Sequence, residues 1–131
     1  MIRIGVPRNF SEVAAYYPDE AHKKDLYMVA WDEDRVMAIC RFKYKNETVS
    51  VFDLREIDPA VPGAVLDGLI RNVLFLTAEA GCESCHLYDY PERMQGYFEQ
   101  HGFTKGEGYL EHQAYVEEFF KPCPGCAHAE Q

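Results

Sequence analysis

The residues in this chain best suited to chemistry are two C-x-x-C pairs, Cys82 and Cys85 in "CESC" and Cys123 and Cys126 in "CPGC". Four thiolates at ~2.3 Å suit tetrahedral Zn²⁺. Two thiols alone make a disulfide or a redox couple, and a single thiol is often a small buried side chain. A thioredoxin-like couple needs its C-x-x-C at a helix start, and nothing helical is expected after Cys126. The stretch between the pairs exceeds the ~15–20 residues of a zinc ribbon. His86 and His128 stand near enough in sequence to act as substitute ligands. Cys40, in "MAICRF", reads as a core residue. Whether the pairs meet is a question of fold.

At 131 residues the chain suits one domain with its own core. Hydrophobic residues make up 47% and charged residues 27%, a globular balance. The net charge of −9 argues against nucleic acid or an anionic membrane as partner, since both need a basic face. It is compatible with an amine. The opening "MIRIGVPRNF" lacks an apolar h-region and a small-residue cleavage site, and no apolar run reaches ~18 residues. The expectation is a cytoplasmic protein with reduced thiols.

The elements that must position these residues follow from periodicity. Ile2 to Val6 reads as a short strand. Phe10, Val13, Ala14 and Tyr17 fall at helical spacing within Arg8 to Ala21, broken by Pro18-Asp19. "LYMVAW", "VMAICRFKY" and "TVSVFDLREI" are β-rich and separated by acidic or Asn turns, the pattern of an antiparallel meander. From Ala64 to Ala80 apolar residues recur every three or four positions, and Gly81 closes that helix. "CHLYDY" is a strand, "PERMQGYFEQHGF" a short helix starting with Pro91 and stopping at Gly102, and "GYLEHQAYVEEFF" a final hairpin strand. Strand, long helix, strand implies a parallel crossover within a mixed sheet.

This order, with "YFEQHGF" at Tyr97 to Phe103, resembles the GNAT superfamily of N-acetyltransferases from about Leu26 to Phe120. The resemblance implies an α/β (α+β) fold, a mixed and mostly antiparallel sheet with flanking helices. It also implies acetyl-CoA held where two parallel strands splay, here Thr48–Ile57 and Cys85–Tyr90. Pantetheine would pair along the first of these at Leu54 and Ile57. The pyrophosphate would lie on the N–H groups of Val61, Gly63, Ala64, Val65 and Leu66, at the start of the long helix. Val61 stands where the family has Arg or Gln, and Ala64 and Leu66 stand at its small-residue positions. Family members that use a tyrosine acid carry it at the position of Phe98, so the neighbouring Tyr97 is the candidate here. Asp53 and Glu56, on the strand beside the cleft, are the candidate bases.

In the implied fold the last strand runs antiparallel beside the strand after the long helix. The tail would then fall near Gly81-Cys82, and the four cysteines could converge on a structural zinc. The competing reading is unrelated thiols, with Cys85 in the core. The expected organisation is one domain over residues 1–121 and a Cys-containing tail over 122–131. The expected function is acetyl transfer from acetyl-CoA to a small-molecule or peptide amine. The alternative is a GNAT-like binding or regulatory module without catalysis.

Overall fold

In the computed structural model, residues 1–113 and 115 are described. The β-rich runs form β2 (Leu26–Asp32), β3 (Arg35–Lys45) and β4 (Thr48–Glu56), preceded by β1 (Ile2–Gly5). Positive φ at Glu33 and Asn46 lets the two hairpins turn tightly. Helix α1 (Gly63–Glu79) crosses back to β5 (Ser84–Leu87), which lies parallel to β4. Then come α2 (Gln95–Gln100), β6 (Thr104–Lys105) and β7 (Leu110–His112). The sheet order is β1-β2-β3-β4-β5-β7-β6, and every neighbouring pair but β4–β5 is antiparallel.

The two sheet faces are covered differently. One face packs Cys40, Phe42, Val51 and Leu54 against α1 and α2, through Leu66, Leu69, Ile70 and Phe98. The other packs Tyr27, Val29, Trp31 and Ile39 beneath the N-terminal segment, which contributes Val13 and Tyr17. Met37, Ala38, Ile39 and Cys40 are all buried because β3 is covered on both faces, so its sequence is continuously apolar.

Three expectations are corrected. Arg8 to Ala21 is no α-helix: it folds as a 3₁₀ turn at Phe10–Glu12, and a second turn follows at Glu20–Lys24. Asn9 and Asp19 cap these turns through their own side chains, and Pro18 disfavours helix at the residue before it. The strand expected through Tyr90 ends at Leu87, and the helix after Pro91 begins as a 3₁₀ turn at Glu92–Met94. Among the described residues the last strand, β7, ends at His112, and residues 116–120 of the expected strand lie outside them. Tyr115 is already beyond it, its N–H donating to Glu83 O at 3.0 Å and its ring buried.

Gly81 and Gly102 end the two helices with φ of +97° and +96°. A Cβ at Gly81 meets open space, whereas one at Gly102 would lie 2.5 Å from His112 Nε2. That ring is buried and packed edge-on to Phe103. Gly102→Ala should therefore cost about 1–3 kcal/mol of backbone strain plus the steric term, and Gly81→Ala the strain alone. Urea unfolding of the two variants checks the ranking, and equal losses would contradict it.

Candidate functional site

The site is built where β4 and β5 part. They pair in register for four residues, from Thr48↔Ser84 to Val51↔Leu87. Against β3, the register jumps from Arg41↔Asp53 to Phe42↔Val51, which makes Phe52 a bulge residue. Tyr88 N–H donates to Val51 O (2.9 Å), and Leu54 N–H to Asp89 O (2.8 Å). Beyond Leu54, β4 runs on to Glu56, while the chain leaving β5 turns at Pro91. The opening lies there.

The amino end of α1 stands at the same edge. Its N-cap, Pro62, offers no side-chain cap, and the first turn holds no acidic residue. The helical ladder begins with Val65 and Leu66 N–H donating to Pro62 O, so the N–H groups of Gly63 and Ala64 precede it. Of the expected cofactor residues, Gly63, Ala64 and Val65 reach the outer side of this turn. Leu54, Val61 and Leu66 are buried in the core, and Ile57 sits on the opposite face with its N–H on Met37 O.

Two residues that sequence reasoning missed close the mouth. Arg93 Nη2 donates to Glu56 Oε2 (2.6 Å) and to the Val61 carbonyl (2.7 Å). The buried Met94 lies against Gly63, its sulfur 3.6 Å from where a Cβ would stand. Both belong to the 3₁₀ turn after β5. Their only sequence signal was the Pro91 turn.

The three catalytic candidates do not converge. The Tyr97 hydroxyl donates to Asp67 of α1 and lies 3.3 Å from Arg71 Nη2. Burial, followed by the Asp67 bond, raises its pKa, so its proton is held and not offered. Asp53 faces the other side of the sheet, accepting from Tyr17 O–H (2.6 Å) and Arg41 Nε (3.2 Å). Arg41 also pairs with Asp25 at 2.6 Å. Glu56 is held by Arg93. Phe98 is fully buried, consistent with an aromatic packing role. A hollow of about 210 Å³ lies where β5 exits, between Tyr88, Tyr90, Gln95, Lys105 and Tyr109.

The cysteines divide. Cys85 points into the core and is fully buried; Cys82 is buried beside it, its Sγ 3.9 Å from Asn46 O. Burial raises both thiol pKa values, so both stay protonated thiols in the metal-free protein. Among the described residues no group of three or more His, Cys, Asp or Glu is placed to hold a metal. Nothing among the described residues supports the zinc clasp at Cys82 and Cys85, and β5 turns Cys85 inward. Cys123, Cys126 and His128 lie outside the described residues.

Comparison with known proteins places this geometry in a class. No family model and no curated relative matches the chain. Solved structures do. The Escherichia coli ribosomal-protein-S18-alanine N-acetyltransferase aligns at TM-score 0.63 and 12% identity, covering 85% of this chain and 89% of its own. The PaiA N-acetyltransferase of Thermoplasma acidophilum, in complex with coenzyme A, aligns at 0.60 and 12%, covering 86% and 99%. A GNAT family acetyltransferase of Elizabethkingia anophelis with acetyl-CoA bound aligns at 0.60 and 10%, covering 86% and 97%. The chain has the fold of GNAT acetyltransferases, and the mixed sheet expected from its sequence is the one observed. No helix among the described residues is long and apolar enough to cross a membrane.

The Arg41 network yields two expectations. Removing the guanidinium leaves Asp25 and Asp53 as partly buried, like-charged neighbours. Arg41→Ala should then cost about 2 kcal/mol, between the values for exposed and buried pairs, read from denaturant melts. Burial, followed by the nearby Asp25 carboxylate, pushes the Tyr27 hydroxyl up to about 12, and Tyr17 is raised further. The unfolded chain ionises near 10.0. Folding is thus unaffected below that value and loses stability as pH rises from it towards 12. Tyrosinate absorbance rising together with loss of the folded circular-dichroism signal would confirm this; ionisation of these tyrosines at the ordinary value with the fold intact would contradict it.

Proposed function

We propose that this protein is an N-acetyltransferase that moves an acetyl group from acetyl-CoA to an amine. One observation carries the reading: parallel strands part beside an uncapped helix end, in a fold whose solved neighbours include coenzyme A and acetyl-CoA complexes. The Gly63 and Ala64 N–H groups would receive the pyrophosphate, where the helix dipole favours an anion. Pantetheine would run along the β4 edge from Leu54 to Glu56. The amine nitrogen attacks the thioester carbonyl, the tetrahedral adduct expels the CoA thiolate, and the proton lost from nitrogen ends on that thiolate or in water. With Tyr97, Asp53 and Glu56 each tied to a partner, rate enhancement rests on positioning and backbone N–H stabilisation of the oxyanion.

A second reading is a module that keeps the fold without the reaction. It is favoured by Arg93 and Met94 at the mouth and by the engaged Tyr97 hydroxyl.

Calorimetric titration with acetyl-CoA separates the two. The enzyme reading expects binding that Ala64→Glu weakens at least ~10-fold, because a carboxylate would sit where the pyrophosphate lies. The same exposed substitution should leave the free protein as stable or slightly more so. No binding at millimolar acetyl-CoA would rule out the enzyme reading. Tyr97→Phe is expected to leave turnover within about threefold; a loss of ~10²-fold would restore the hydroxyl as general acid.

A further inference from the structure

The face of the sheet opposite α1 carries a second hollow, at the other end of β4 from the proposed acetyl site. It has a volume of about 440 Å³ and is lined by Lys43, Lys45, Thr48, Ser50 and Phe52 with Tyr44 and Asn46. It is an open groove on the sheet surface. Register explains the lining. Lys43 pairs with Ser50 and Lys45 with Thr48, so both lysines and both hydroxyls project to one side.

An aromatic surface adjoins this hollow. The Phe52 ring lies nearly parallel to Tyr88, 6.4 Å between centroids. Tyr88 lies 5.4 Å from Tyr109, which stacks on His86 at 4.7 Å. Tyr88 is 43% exposed, and the N-terminal segment on this face packs over β2, β3 and the Asp53–Glu56 end of β4. A partly exposed run of rings on a sheet is a stacking surface for a planar group.

The charges select what that group carries. In a chain of net charge −9, Lys43 and Lys45 form no ion pair with any described carboxylate. The carboxylate that does approach the rings, Glu111, is 3.5 Å from His86 Nε2. Arg41, over the Phe52 ring at 4.9 Å, is neutralised by Asp25 and Asp53. Unspent positive charge thus sits at the lysine end of the hollow, with ring surface at the Phe52 end.

We propose that this hollow binds a small planar aromatic anion, its ring on Phe52 and Tyr88 and its carboxylate or phosphate between Lys43 and Lys45. The site lies on the sheet face away from α1, and Tyr88 at its edge also lines the hollow where β5 exits.

The test is a titration of the full chain followed by aromatic NMR shifts. Adenosine monophosphate and phenylacetate serve as ring-plus-anion probes, and adenosine and inorganic phosphate each lack one half. At least one of the first two should shift Phe52 and Tyr88 and bind ~10-fold more tightly than either half-probe. Which of the two binds distinguishes a nucleotide source from an aryl carboxylate. In the Lys43→Ala/Lys45→Ala variant, whose side chains bear no core contacts, this advantage should vanish while circular dichroism stays unchanged. Three results would overturn the proposal: half-probes binding equally well, no probe shifting these rings, or shifts that follow protein concentration alone. The last would assign the face to a second copy of the chain.

Discussion

The arrangement depends on a parallel pairing that stops early. β4 and β5 share only four residue pairs because the chain leaving β5 is turned aside at Pro91, while β4, bulged at Phe52, continues to Glu56. A parallel neighbour requires a crossover, and α1 is that crossover. Its length returns the chain to the start of β5, and so its amino end stands where β4 finishes. The unpaired edge, the orphan N–H groups and the mouth are consequences of one topological step.

Arginine is the second organising feature. The chain is strongly acidic, yet the carboxylates that looked catalytic in the sequence are each engaged by an arginine. Arg93 holds Glu56, Arg41 holds Asp53 and Asp25, and Arg71 holds Asp67 at 3.0 Å. Each guanidinium ties two elements together or braces one helix. Side chains that look like acid–base chemistry in the sequence therefore serve as joints, and the backbone is left as the chemically available surface near α1.

Much of the fold was legible. α1 announced itself through Leu69 and Val73 at helical spacing, and the meander through β-branched runs between Asn and acidic turns. The N-terminal segment misled because Phe10, Val13 and Tyr17 face inward from 3₁₀ turns much as they would from a helix. The site was less legible. Alternation along β4 could not say which way Asp53 and Glu56 point, because the Phe52 bulge resets the alternation after Val51. Nor could spacing foretell that Tyr97 would meet Asp67 and Arg71, since those contacts arise only when α2 packs on α1. Cys85 was ambiguous for a simpler reason: a strand offers two faces, and only the fold shows that its thiol takes the core.

The central claim is that the gap beyond Leu54 accepts an acyl carrier. A crystal structure with coenzyme A tests it most directly. The account predicts pyrophosphate oxygens within hydrogen-bond distance of Gly63 and Ala64 N–H, pantetheine against the β4 edge, and Met94 displaced from Gly63. Coenzyme A seated elsewhere on the molecule, or a mouth still closed by Arg93 and Met94 at saturating ligand, would contradict it.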